Sequence, residues 1–414
     1  GGIFLVHFSM RYLPVSNLHD TVFKMYIKQM DCFKTNLAYW KFLGIWPGEN
    51  RPSFYEYYSK IFIISFVMIY ILLLALNLYF MPNRLVVIID ELIFFFTELT
   101  VFSKVITFIV MRDKINRILN TLQCDNFQPD AGDATKILKK AKKFFNIYYI
   151  TVAVISYLSN LTHLLSPLLA HVFLPISLKL PVCSYSFLNE NIKEMFIYPI
   201  YLYQSLGMHF HMLINVNTDS FILGLMILSI AQLEVLHYNL EHLADYETTE
   251  LLSEKERVFK RKLQKCICHF VEIEKLCDLV EEVFSVCLFV QFSASSCIIC
   301  VVLFRFTLPA PTSYYVFLST YMGAMLVQIL MPTWFGTRIT QASSSLSQAI
   351  YNCDWISRPQ EFKGSMMIFV ERMSRPLNIT AWKMFPLLLT TFTKIMNTAY
   401  SFFTLLRNMQ ARDC

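Results

Sequence analysis

Seven stretches of this chain are apolar for long enough to cross a bilayer as helices, and that property restricts the fold more than any motif. A hydrocarbon core about 30 Å thick needs roughly 20 apolar residues, with every backbone polar group bonded inside the segment. The stretches are 61–80, 85–110, 144–165, 195–218, 283–304, 314–334 and 387–406. The first, IFIISFVMIYILLLALNLYF, holds no charge; the second carries Asp90, Glu91, Glu98 and Lys104, and the seventh Lys394. Charged residues are 16% of the chain, against about 25% in soluble domains. Mean hydropathy is +0.46. An all-α membrane protein with seven transmembrane helices is the fold class expected.

The basic residues set the expected orientation, because Lys- and Arg-rich loops stay cytoplasmic. The segment before the first span, the 2–3 loop, the 4–5 loop and the 6–7 region together hold 28 Lys and Arg, and the opposite side holds 6. The N-terminus is therefore expected in the cytoplasm and the C-terminus outside. No cleavable leader is read in the N-terminal stretch, where isolated charges interrupt every apolar run. The formal charge of +6 does not point to nucleic acid, since the basic residues lie between apolar runs and form no single face.

That orientation argues against a G-protein-coupled receptor, whose N-terminus lies outside. The chain also has no DRY after the third span and no NP dipeptide. A seven-helix transporter remains open from composition, although only weak candidates for paired Gly/Pro-broken helices are present. No G-x-S-x-G, Walker or H-E-x-x-H pattern supports an enzyme or a cofactor. Cys266, Cys268 and His269 form CICH without a second pair at zinc spacing, and the eleven cysteines suggest no disulfide framework. Pro is absent between Pro199 and Pro309, so the fourth and fifth helices can extend well past the bilayer. Asn160 and Asn378 match the N-glycosylation pattern but fall in a span and on the cytoplasmic side.

The seventh stretch raises a separate question. Thr390, Lys394, Asn397, Ser401, Thr404 and Asn408 recur at steps of three and four, which places all six on one narrow stripe of a helix. A polar stripe on a membrane helix lines water or joins neighbouring helices.

With its inverted seven-helix plan and a short last helix ending in TAYSFFTLLRN, the chain resembles the insect odorant receptors. LAYWKFLGIWP before the first span, AIYNCDW after the sixth and MSRPLNITAWKMFPLLLTTF before the seventh carry the same resemblance. It covers the whole chain, with its specific motifs in the last 70 or so residues. The short 4–5 loop resembles a ligand-tuned subunit rather than the shared co-receptor. The resemblance implies an odorant-gated, non-selective cation channel in the plasma membrane of a sensory neuron dendrite. Its subunits would form a hetero-oligomer with the co-receptor, a tetramer, around a central pore. In the co-receptor an apolar gate residue lies thirteen positions after a Phe and an amide sixteen after; counting from Phe392 gives Leu405 and Asn408. Ser401, Thr404, Leu405 and Asn408 are thus the implied pore and gate residues, with Thr391 off the stripe.

The implied organisation is a cytoplasmic segment at 1–60 and a ligand-binding bundle of the first four spans at 61–218. A cytoplasmic helical anchor at 219–282 follows, then spans five and six at 283–334 and a second anchor segment at 335–386. The pore helix is 387–408 and the extracellular tail 409–414. The anchor is built from extended helices four to seven. In the family the ligand, a small apolar volatile, sits in the outer half of the bundle. The residues implied there are Phe94, Phe95, Ile150, Val154, Tyr157, Tyr198, Tyr201, Gln204, Tyr315, Phe317 and Tyr321, most of which must also pack as core. Glu98, an ionisable group at mid-span, is expected to pair within the bundle. His163, His209 and His211 are read as packed or interfacial.

Overall fold

The structure is a computed structural model that describes residues 29–47, 53–82, 85–129, 132–173, 177–243, 252–309, 312–353 and 360–413. Residues 1–28, with most of the expected N-terminal segment, and Asp354 and Trp355 of AIYNCDW lie outside them.

The described residues form α1 (Lys34–Phe42), α2 (Ser53–Ile63), α3 (Ile69–Phe80), α4 (Leu85–Val110), α5 (Arg112–Thr121), α6 (Asp133–Phe173) and α7 (Glu190–Met195). Then come α8 (Ile197–Glu241), α9 (Leu252–Arg305), α10 (Thr312–Ser344), α11 (Leu346–Tyr351) and α12 (Gln360–Met373). A two-stranded hairpin, β1 (Thr380–Ala381) and β2 (Phe385–Pro386), leads into α13 (Leu389–Asp413). A π-helical turn, Ile64–Met68, joins α2 to α3 in one rod over Phe54–Phe80. Six described helices are long and apolar enough to span a membrane; α13 is long enough but, with its polar stripe, is not among them.

The two longest helices organise the rest. At 45 and 54 residues, α8 and α9 reach about 68 and 81 Å, more than twice a hydrocarbon core. Residues 220–233 of α8 are buried on every side, as a helix apolar all round must be. Against α8 pack α1, α4, α6, α9, α10 and α11. The motif around Trp40 explains itself here. Trp40 is fully buried, 4.2 Å from the Phe108 ring and 4.9 Å from Phe221. Gly44 ends α1 at φ +71°, a conformation that favours glycine. The basic end of the bundle is thereby closed by aromatic packing.

The hairpin fixes where α13 starts. In the three-residue loop 382–384, Trp382 and Lys383 hold positive φ at the centre of a tight turn closed by the Met384 N–H on Ala381 O at 3.1 Å, although neither is the glycine or asparagine usual there. Compensation comes from α9. The Trp382 N–H donates to Ser285 O at 3.2 Å, its ring lies 4.8 Å from Phe289, and Glu281 accepts from both the N–H and hydroxyl of Thr380 at 2.9 Å. Thr337 Oγ1 on α10 accepts from the Leu389 N–H at 3.0 Å, capping the first residue of α13. Gly336, one residue earlier, leaves no room for a Cβ beside the Leu387 carbonyl.

Gly224 of α8 sits where Phe33 and Phe145 converge; a Cβ there would stand 2.6 Å from one ring and 2.7 Å from the other. Gly224→Ala should therefore lower stability by about 1–3 kcal/mol through overpacking. Gly364→Ala, with nothing within 4 Å of its added Cβ, should be neutral or gain from helix propensity. Thermal melting of the detergent-solubilised proteins separates the two.

Candidate ligand-binding site and the polar layers of the bundle

Helix α4 carries its charges through the apolar bundle by pairing them in layers. Asp90, Thr97 and Lys104 are seven residues apart and share one face. At one end Asp90 accepts from Arg305 Nε at 2.9 Å and from the Tyr314 hydroxyl at 2.5 Å, and the Arg305 guanidinium lies 4.7 Å over the Tyr314 ring. In the middle, Glu98 pairs with His211 of α8, whose Nε2 donates to the Phe66 carbonyl at 2.5 Å. That carbonyl belongs to the π-helical turn, as does Ser65 O, which accepts from Tyr203 at 2.6 Å. The irregular turn leaves carbonyls for side chains to bond, a common use of π-helical turns. At the basic end the fully buried Lys104 reaches Asn215 and, at 2.5 Å, Asp219, which also accepts from Gln328 of α10 at 2.7 Å.

Between the first two layers lies an aromatic cluster drawn from three helices. His163 of α6 stacks on Phe317 of α10 at 4.9 Å, with Phe94 of α4 6.1 Å from His163 and 6.4 Å from Phe317. Tyr321 and Tyr314 flank Phe317 at 5.8 and 5.9 Å. The Tyr321 hydroxyl bonds Thr97 Oγ1, whose own proton goes to Ile93 O at 2.9 Å. His163 Nε2 donates to the Pro181 carbonyl at 3.0 Å.

Pro181 belongs to the 177–188 segment, which folds inward over α3, α4 and α8. Val182, Cys183 and Tyr185 are buried there in one cluster with Tyr70 and Leu74. Gln204 holds it: Oε1 accepts from the N–H groups of Val182 and Cys183 at 3.1 and 3.3 Å, and Nε2 donates to Cys183 O at 2.9 Å. Asn77 Oδ1 takes the Ser186 N–H at 2.6 Å. Burial pushes the Cys183 thiol well above its ordinary range.

The residues implied for ligand contact therefore separate. Phe94, Phe317 and Tyr321 meet in the aromatic cluster, while Phe95 packs in the neighbouring one under the 177–188 segment. Gln204 spends its amide on that segment. The Tyr201 hydroxyl bonds Leu164 O, and Tyr315 stacks on Phe306 and donates to Leu308 O at 2.7 Å. Ile150, Val154, Tyr157 and Tyr198 face outward from the single chain, each about half exposed or more. Ile150 also lies thirteen residues before His163 on α6, about 20 Å along the axis. His163, Thr97 and Tyr314 join the cluster without having been singled out for it. Their partners are on other helices, so local spacing carries no sign of the contact.

At the other functional region, Ser401, Leu405 and Asn408 are exposed and Thr404 is partly so. Ser401 Oγ and Thr404 Oγ1 bond carbonyls of their own helix, Asn397 O and Ser401 O, at 2.8 Å. Thr391 is buried, its hydroxyl donating to Pro386 O at 2.6 Å. Among the expected packed histidines, His209 bonds the buried Asn160 at 3.2 Å, and His269 of CICH bonds Gln232 at 2.8 Å.

Two outcomes are expected from this geometry. Lys104→Met strands Asp219 in a low-dielectric site and should cost about 3–5 kcal/mol, read as lost surface expression and a lower melting temperature. Lys104→Met with Asp219→Asn should recover much of the loss. Gln204→Leu removes the bonds that seat the 177–188 segment. Cys183, slow to react in the parent because it is buried and protonated, should then be labelled faster by a membrane-impermeant thiol reagent.

Known proteins share both the sequence pattern and this arrangement of helices. The sequence model of the family described as 7tm Odorant receptor matches residues 84–400. Putative odorant receptor 85d of Drosophila melanogaster is 29% identical over 147 residues, 36% of each chain. Odorant receptor 67a of the same fly is 27% identical over 149 residues, 36% of this chain and 37% of that one. The chain thus aligns to little more than a third of these relatives' length. Odorant receptor 46a, isoform A, also of Drosophila melanogaster, is 22% identical over 389 residues, 92% of this chain and 98% of that one. In fold, the chain matches the insect olfactory receptor OR5 from Machilis hrabei in complex with eugenol, with a TM-score of 0.80 at 16% identity over 93% of this chain and 99% of that one. The molecule is an all-α, multi-pass membrane bundle of that fold and, as a member of a receptor family, not an enzyme. The chain belongs to the 7tm odorant receptor family.

Proposed function

We propose that this chain is the ligand-tuned subunit of an odorant-gated, non-selective cation channel, assembled with a co-receptor subunit as a heterotetramer in a sensory neuron's plasma membrane. Its N-terminus lies in the cytoplasm and its C-terminus outside, the arrangement favoured by the 28-to-6 distribution of basic residues. The extended ends of α8 and α9, with α11 and α12, form the cytoplasmic anchor. A small volatile binds at the aromatic cluster of Phe94, His163, Phe317 and Tyr321. The Machilis receptor of the same fold was solved in complex with eugenol, a small, largely apolar phenol, which supports a ligand of that size.

The observation that carries this reading is the state of α13. Its buried face, with Thr391 and Ala399, packs on α9 and α10. The stripe of Thr390, Lys394, Asn397, Ser401 and Asn408 is exposed on the single chain. The Ser401 and Thr404 hydroxyls of the stripe bond their own helix, so within this chain they do not act as glue between helices. A water-filled axis between subunits accounts for it, with Leu405 as an apolar constriction that closes by dewetting. Helix α10 offers a mechanical link, since it contributes Phe317 and Tyr321 to the aromatic cluster and Thr337 to the cap of α13.

Leu405→Ser, co-expressed with the co-receptor, should raise the ligand-free current. Losing about 1.5 kcal/mol of apolar gate contact corresponds to roughly a tenfold rise in resting open probability, less where partner subunits keep their own gates. Leu406→Ser, 100° round the helix, should leave the leak unchanged. Because Thr391 is buried in the α13 base, it is unsuitable as the off-stripe control. Equal resting currents from the parent and Leu405→Ser at equal surface density would remove α13 from the pore.

A further inference from the structure

We infer that His163 selects ligands bearing a hydroxyl group, so that the odorants of this receptor are small aromatic alcohols or phenols rather than the matching ethers or hydrocarbons. This deepens the channel reading above and rests on it for the location of the site. Donors and acceptors around the aromatic cluster are unequally committed. The Tyr314 hydroxyl donates to Asp90. The Thr97 hydroxyl donates to Ile93 O, which leaves the Thr97 oxygen to accept the Tyr321 proton. Each hydroxyl proton among these side chains is therefore committed within the protein. The one open donor beside them is the buried Nη1 of Arg305, over the Tyr314 ring.

His163 is different. A carbonyl can only accept, so the contact with Pro181 O puts the proton on Nε2. The neutral ring then carries a lone pair on Nδ1. Among the described residues nothing donates to Nδ1, whose ring lies face to face with Phe317 beside Phe94. The flat surfaces suit an aromatic ring by offset stacking. The unfilled acceptor suits an O–H. The Pro181 carbonyl that sets the tautomer sits in the segment held by Gln204, so the amide seating that segment also orients the acceptor. A site built to bond a hydroxyl rejects an analogue lacking it more strongly than an apolar pocket rejects a missing methylene.

The test uses the full receptor co-expressed with the co-receptor and read as whole-cell current. The probes are 2-phenylethanol, its methyl ether and ethylbenzene, with 4-ethylphenol and its methyl ether as a second set. The alcohol and the phenol should be more potent than their ethers by about tenfold, the scale of one hydrogen bond. His163→Phe keeps the stacking surface and removes the acceptor. It should bring the hydroxyl compounds down to their ethers while leaving the ether responses in place. His163→Asn, which retains an acceptor near the Nδ1 position, should keep the preference for hydroxyl. Ethers as potent as the alcohol in the parent, or an unchanged preference in His163→Phe, would overturn the inference. So would silence to every probe while the Leu405→Ser receptor leaks, since the channel reading would then stand and the ligand class would be wrong. If neither the probes nor the gate variant produce current from complexes at the cell surface, the channel reading fails and takes this inference with it.

Discussion

A charged side chain inside a bilayer has no water to turn to, and α4 carries four of them in 26 residues. Three are met by named partners on other helices: Arg305 for Asp90, His211 for Glu98 and Asp219 for Lys104. Those partners come from α8 and α9, the two helices long enough to run through the whole molecule. The pairs therefore do more than neutralise charge. They set the height of α4 against α8 and α9 at three levels, and a slip of one turn would strand every charge at once. Breaking such a pair costs far more than the pair contributes over an apolar substitute, which is why paired charges specify a register so strictly.

The polar layers also divide the bundle into two differently packed parts. Above the Glu98 level, aromatic rings from α4, α6 and α10 pack beside the inward-folded 177–188 segment, whose backbone is held by Gln204, Asn77 and His163. Below it, Lys104 and Asp219 lock α4, α8 and α10 together, and the aromatic plug around Trp40, Phe108 and Phe221 closes the basic end. Helix α10, which carries Tyr321, runs on from this locked level to Gly336 and Thr337. The Leu387 carbonyl and Leu389 N–H wait there at the foot of α13.

Membrane class and helical content were legible from the run of apolar residues alone, because a bilayer accepts backbone only when it is bonded within the segment. The polar stripe of α13 was legible for a similar reason: steps of three and four on a helix define a face whatever that face meets. Glu98 was expected to pair within the bundle, and the partner proved to be His211, 113 residues away. The packing of the aromatic cluster was only partly legible. Phe94, Phe317 and Tyr321 were named, but so were Ile150, Val154, Tyr157 and Tyr198, which face outward. An aromatic or aliphatic residue in a span reads the same whether it meets protein, ligand or lipid, since all three accept it.

What the sequence determined by itself was thus a set of one-dimensional properties: span length, charge asymmetry and helix faces. Each depends on a residue and its near neighbours. The tertiary structure decided which groups meet. It assigned the Gln204 amide to the 177–188 segment, put His163 against Phe317 with one ring nitrogen on Pro181, and turned the Phe66 carbonyl toward His211. These are contacts between helices far apart in the chain, fixed by the simultaneous packing of many side chains. No local spacing encodes them, because the partner's identity depends on how the other helices have already settled.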